Sequence, residues 1–200
     1  MITVAEALAR CLALVAPLDR ERVALRRAAG RFMAVPAVAG RDQPPFAASA
    51  MDGYAVQGDP LAGAMFRVVG EAGAGHALAR AVGPGEAVRI FTGAPVPEGA
   101  DRVIIQEDVE RAGDMITLRP GADAGRHIRP AGQDFRVGAT MGPRLLRPND
   151  LALLAAMNLA EVEVTRRPVV AVIATGDELV MPGEVPRDDQ IIASNSFAIT

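Results

Sequence analysis

The sequence predicts an α+β chain of more than one domain, and three observations carry that prediction. Helical periodicity is confined to segments near residues 3–16 and 150–157, with one shorter helix after the first. The long stretch between is dense in Gly and Pro and holds only short strand patterns. Near residue 169 an unbroken apolar run marks a layer of a different kind, the opening of an α/β domain.

Residues 3–16 read as an amphipathic helix, because Val4, Leu8, Cys11, Leu12 and Val15 recur at helical spacing. Thr3 and Glu6 have the spacing of a capping box, and Pro17 stops the helix. Cys11 lies on the apolar stripe and is expected to be a core thiol. A second short helix is expected over Leu25–Met33, then an extended Val35–Ala39. From Arg41 to Gly142 turns alternate with strands at Tyr54–Val56, Phe66–Val69, Ala87–Phe91, Arg102–Gln106 and Met115–Leu118. Helix returns at Asp150–Met157 behind Pro148 and Asn149, which suit a helix start. Glu161–Thr165 reads as a strand. Val169–Ala174 has the composition of a strand buried on both faces. A turn at Thr175–Glu178 follows, and Ser194–Ser196 offers a capped start to another helix. One strand and a helix start bury no core of their own, so the chain is expected to be a fragment of a longer protein.

Composition narrows the function classes. Half of the 200 residues are hydrophobic and only 4% are aromatic, so aliphatic side chains must do the packing. The net charge is −3 and all 21 basic residues are Arg, interspersed with acids, which leaves no basic footprint for nucleic acid or membrane. One cysteine makes no internal disulfide, and His76 and His127 share no metal-ligand spacing. No secretory signal or spanning helix is read, and a soluble cytoplasmic protein is the expectation.

Four motifs could carry chemistry. Ser49–Val56 contains Asp52-Gly53, which taken alone is a turn pair between strands. Ile90–Asp101 ends a strand at Thr92-Gly93 and enters a loop stiffened by two prolines; it is an ordinary rigid loop or a shaped site where a ligand approaches the backbone. Gly132–Phe135 places Asp134 among glycines, the setting of a turn residue. Ala174–Leu179 puts Asp177 and Glu178 beyond the carboxyl end of the expected strand, where open α/β sheets bind ligands. Helix N-termini there favour anions. Two carboxylates would repel an anion unless a cation such as Mg²⁺ bridges them; otherwise one merely caps a helix.

Each motif is common alone, but the set in this order is specific. SAMDGYAV, FTGAPVPEGADRVIIQE, GQDF and VAVIATGDELVMPG with SNS resemble the molybdopterin molybdenumtransferase family, which includes the E domain of gephyrin, from about Val4 to Thr200. The resemblance implies an elongated homodimer of four-domain subunits. It implies a discontinuous first domain at 1–44 and 133–166, an inserted β-rich second domain at 45–132, and the truncated start of an α/β molybdopterin-binding domain at 167–200. It further implies molybdenum cofactor biosynthesis, in which molybdate is inserted into adenylylated molybdopterin and AMP is released, in a reaction that depends on a divalent cation, Mg²⁺. By motif match, Asp52, Thr92, Asp134 and Glu178 fall at the family's functionally important positions. Thr175, Gly176, Asp177, Ser194, Asn195 and Ser196 fall on the cofactor-binding side, with Glu178 and Asp177 towards the metal and pyrophosphate. Thr92 would position substrate or oxyanion, while Asp52 and Asp134 act on the metal or as proton acceptors. The family's catalytic lysines would lie beyond Thr200. In the family the second domain of one protomer faces the third domain of its partner, which would share the site between subunits. The implied partners are the substrates, a second copy and the molybdopterin adenylyltransferase. Two alternatives stand beside this reading: a non-catalytic scaffold or binding module, and a molybdopterin adenylyltransferase-like protein, against which the long β insertion counts.

Overall fold

The structure, a computed structural model, describes residues 2–199. They form two compact units, one built from residues up to Arg20 together with those from Thr165 onward, the other from Glu21–Val164. The first unit opens with α1 (Val4–Ala13), whose N-cap Thr3 accepts the Glu6 N–H on its hydroxyl at 3.2 Å. Glu6 does not complete the expected box. Its carboxylate takes Arg10 one turn on, at 2.8 Å. The apolar stripe is present but open: Val4, Leu8, Leu12 and Val15 are exposed, and Cys11 is an exposed free thiol instead of the expected core one. Amphipathic spacing records a face suited to burial; it does not say what buries it.

The larger unit begins within β1 (Arg20–Ala24), at Glu21, followed by β2 (Phe32–Met33) and β3 (Ala37–Val38). The helix expected over Leu25–Met33 does not form; only a 3₁₀ turn, Leu25–Arg27, is present. Gly30 takes a left-handed φ of 70° and its N–H donates to the Leu146 carbonyl at 2.9 Å, while the Leu146 N–H donates to Arg31 O at 2.8 Å. The peptide groups that a helix would pair along itself are here used across the chain.

Next come β4 (Ala48–Ser49), β5 (Gly53–Val56), β6 (Met65–Ala72), β7 (Glu86–Ile90), β8 (Arg102–Ile105), β9 (Val109–Ala112) and β10 (Met115–Leu118). The last six form one sheet in the order β8-β5-β7-β6-β10-β9, antiparallel except where β6 runs parallel to β7. β5 lies between β8 and β7 and is buried along its whole length. Its alternating side chains feed opposite faces of the sheet. Tyr54 and Val56 join Phe66, Ile104 and Ile116 on one face, and Ala55 joins Val88, Ile90 and Val103 on the other. β9 was not expected from the sequence, because Val109-Glu110-Arg111-Ala112 is a charged edge strand with one buried residue.

The chain then returns through β11 (Ile128–Arg129), which pairs with β4, and β12 (Thr140–Met141), which pairs with β3. β13 (Arg144–Leu145), α2 (Pro148–Ala156) and β14 (Glu161–Thr165) follow, and a four-stranded sheet runs β1-β14-β2-β13. Pro148 opens α2 at the first helical position, where its missing N–H is harmless. The helix closes with Asn158 at φ 66°, and Asn158 N and Leu159 N donate to Ala155 O and Leu154 O at 2.9 and 3.1 Å. That is a Schellman termination, with Asn in the left-handed position. Leu154 is fully buried in a third cluster with Met33, Leu146, Met157 and Val164.

Beyond Thr165 the strand expected at Val169–Ala174 is absent: these residues are irregular, and Val169, Val170 and Ile173 are 99%, 71% and 81% exposed. A strand buried on both faces needs strands beside it. In this unit the described residues supply only β15 (Leu179–Val180) and β16 (Ile191–Ile192), which pair parallel with each other. The expected turn before β15 and the expected helix after Ser194, α3 (Asn195–Ile199), are both present.

Candidate functional site

The firmest polar constellation joins two of the motifs. Asp52 ends the loop after β4, and Thr92 follows β7. The Asp52 Oδ1 accepts the Thr92 N–H and the Thr92 hydroxyl, both at 2.8 Å. The sheet makes this meeting possible. Gly53 opposes Ile90 across β5 and β7, so the residue before β5 and the second residue after β7 emerge at the same end of the paired strands. The Asp52 loop is fastened on every side. Ser49, buried, donates its hydroxyl to Met51 O at 2.6 Å, Ala50 N donates to His127 O at 2.8 Å, and Gln106 N donates to Asp52 O at 3.1 Å. On the Thr92 side, Gly93 N donates to Ser49 O at 2.8 Å from a left-handed φ of 82°.

Asp52-Gly53 is therefore not the simple turn its dipeptide suggests. Gly53 is the buried first residue of β5, pinched between β7 and β8; a Cβ built there would lie 1.9 Å from Ile104 O. The Thr92 N–H, then the Thr92 hydroxyl, hold the Asp52 carboxyl below the usual carboxylate range; partial desolvation opposes them and the Arg89 charge assists.

Arg89 went unnoticed in the sequence reading. Its guanidinium lies 5.2 Å from the Tyr54 ring centroid and 4.6 Å from that of Phe91. It donates to Gly53 O at 3.1 Å and to Gln106 Oε1 at 2.7 Å. The available signal was a lone cation inside Ala87–Phe91, between buried Val88 and Ile90.

Asp134 sits apart from this pair. It is exposed and accepts from Arg129 Nη2 at 2.7 Å, while its N–H donates to Gln43 O at 2.8 Å. Arg129 opposes Ala48 in the β4–β11 ribbon, whereas Ala50 meets His127, so Asp134 and Asp52 leave this ribbon at opposite ends.

The remaining motif residues belong to the other unit. Thr175, Ser194, Asn195 and Ser196 line one cavity of about 230 Å³ with Leu179 and Ala193. Gly176 has a φ of 151°, and the Glu178 carboxylate folds back over it: a Cβ there would lie 2.3 Å from Glu178 Oε2. Asp177 and Glu178 are exposed and do not line that cavity. Among the described residues no three His, Cys, Asp or Glu side chains gather. Two adjacent exposed carboxylates nonetheless fit Mg²⁺, which takes one or two carboxylates and fills its shell with water and phosphate oxygens.

A family model described as "MoeA N-terminal region (domain I and II)" matches residues 2–158. The chain belongs to that family. Among curated relatives of this MoeA-type chain, molybdopterin molybdenumtransferase 2 of Mycobacterium tuberculosis is 37% identical over 204 residues, covering 98% of this chain and 49% of that protein. A molybdopterin molybdenumtransferase of Staphylococcus aureus is 35% identical over 202 residues, covering 97% and 48%. The crystal structure of a molybdopterin biosynthesis moeA protein from Pyrococcus horikoshii OT3 superposes with a TM-score of 0.85 at 35% identity, over 100% of this chain and 55% of that one. The chain thus spans about half the length of the relatives it matches. Among the described residues no helix is long and apolar enough to cross a membrane.

Proposed function

We propose that this MoeA-type chain is part of a molybdopterin molybdenumtransferase, which inserts molybdate into adenylylated molybdopterin and releases AMP in a divalent-cation-dependent reaction. The observation that carries this reading is the Asp52–Thr92 pair, two motif residues 40 positions apart that meet through both a main-chain and a side-chain donor. Its support from outside the chain is the shared name of relatives at 35–37% identity.

In this reading Asp52, kept ionised and aimed by Thr92, receives a proton or faces the cation as the pyrophosphate is cleaved. Thr92 orients substrate through Asp52. Asp134, held by Arg129, supplies a second carboxylate. Thr175 and Ser194–Ser196 line the cavity proposed to take the pterin side of the substrate, with Gly176 at its turn. Glu178 and Asp177 would hold Mg²⁺, which offsets pyrophosphate charge and assists the departure of AMP. The division into a first domain at 1–44 and 133–166, a second at 45–132 and a third from 167 belongs to the same proposal. One core draws on residues 28–39 and 141–164, and the other two on residues 54–118. We further propose a cytoplasmic homodimer that receives its substrate from the molybdopterin adenylyltransferase.

The test is reconstitution with the whole protein, adenylylated molybdopterin, molybdate and Mg²⁺. Asp52→Asn is expected to lower kcat/KM by about 10²–10³-fold with the fold retained. Turnover at the parent rate would remove Asp52 from the chemistry. Failure of the unaltered protein to release AMP would remove the activity itself.

A further inference from the structure

The Arg89 guanidinium has a role that the four motifs leave unassigned. It is half-buried, stacked between two aromatic rings, and directed at the main chain of the Asp52 loop. The stack follows from the strand pattern: Arg89 opposes Tyr54 across β5 and β7, and Phe91 lies two residues further along the same face. Held there, the planar fork reaches two acceptors that a point-charge cation could not serve together. One is the carbonyl of Gly53, the residue after Asp52. The other is the side-chain oxygen of Gln106, a residue whose main-chain N–H donates to the Asp52 carbonyl.

We infer that Arg89 is a positioning residue, which braces the Gly53 carbonyl and the Gln106 side chain beside Asp52 and so presents the Asp52 carboxylate to Thr92. Its consequence for turnover rests on the proposed role of Asp52; its consequence for the geometry and ionisation of Asp52 does not. The other charged groups facing Arg89 are Glu71, opposite it on β6, and Glu107, which accepts from Gln106 Nε2 at 3.1 Å. Neither touches Asp52, so the charge that Asp52 senses from this face is that of Arg89.

The experiment uses the 200-residue chain for NMR and the whole protein for turnover. In Arg89→Met, which keeps a long apolar side chain and loses charge and donors, the Asp52 carboxyl should titrate at a higher pH than in the parent, its resonance being assigned with Asp52→Asn. The amides of Thr92 and Gln106 should exchange with solvent about tenfold faster. Arg89→Lys should bring the titration back towards the parent while leaving the exchange fast, since one ammonium restores charge but not the fork. Parent-like titration and exchange in a folded Arg89→Met overturn the inference. If Arg89→Met does not fold, Arg89→Lys decides: parent-like exchange at Thr92 and Gln106 overturns it, and faster exchange supports it. In the whole protein Arg89→Met should lower kcat more than it raises KM. Should Asp52→Asn leave turnover untouched while the Arg89 variants alter titration and exchange, the catalytic reading of Asp52 fails and the bracing role of Arg89 stands.

Discussion

Gly53 carries the tightest steric demand near the candidate site. A methyl group there would meet the Ile104 carbonyl at 1.9 Å, and a backbone atom hydrogen-bonded into the sheet cannot swing aside as a side-chain end can. Gly53→Ala must push β8 away from β5 and is expected to destabilise the fold by about 1–3 kcal/mol or more, read by urea denaturation. Gly93→Ala, with open space around its Cβ position, should cost less and only through its left-handed backbone. The neighbouring Asp52 makes a pH prediction whose sign follows from the direction of its shift. Its folded-state carboxyl is held below the ordinary value, so it contributes stability above the unfolded pKa of about 3.9, and that contribution is lost as the pH falls through the folded one. The stability difference between the parent and Asp52→Asn should be level above about pH 5 and shrink on the acid side of the carboxylate range. In Thr92→Val, which keeps the N–H donor and loses the hydroxyl, the shrinkage should start at the same pH, set by the unfolded chain, but be smaller and end at a higher pH. A difference that grew on acidification would contradict the hydrogen-bonded carboxylate.

Elements were legible in the sequence wherever one local pattern dictated them. Met115–Leu118 and Glu161–Thr165 lie where alternation places them, and Pro148 marks the start of α2. Elements were misread where the deciding partner was remote. The Leu25–Met33 segment has helical spacing, but Leu146 claims its peptide groups. β9 is hidden by its charges, and Val169–Ala174 has strand composition without strands beside it. The site was legible to a similar depth. Asp52 and Thr92 could be named from their motifs, whereas Arg89 and Gln106 could not, because their contacts lie in a cross-strand register that no single segment encodes. α1 offers a direct check at this scale. Helical spacing put Cys11 in a core, and the structure leaves it exposed. In the native 200-residue chain Cys11 should react with a disulfide reagent at nearly the rate seen in denaturant. Protection by several orders of magnitude, relieved only on unfolding, would show that the apolar face of α1 is covered in solution.

At the scale of the whole molecule, the Glu21–Val164 unit counts as one compact body yet holds separate hydrophobic clusters. Leu154 and Met33 belong to the cluster around α2, and Tyr54 and Ile116 to the six-stranded sheet. The chain passes between these regions through two neighbouring segments, tied by the β4–β11 ribbon and a bridge between Gln43 and Phe135. So narrow a connection transmits little packing energy, and each cluster should feel its own cavities. The sequence supplies the probe, since Tyr54 is the only tyrosine and there is no tryptophan. Tyrosine fluorescence therefore reports the sheet, while helical circular dichroism in the 200-residue chain reports α2 together with α1 and the short α3. Ile116→Ala should lower the stability seen by Tyr54 by about 2–5 kcal/mol. Leu154→Ala should take a similar amount from the helical transition and leave the Tyr54 midpoint nearly where it was, because the two sites share no contacts and their effects remain local. Equal displacement of both transitions by either substitution would mean that residues 21–164 unfold as one cooperative body, with the ribbon acting as a rigid coupling.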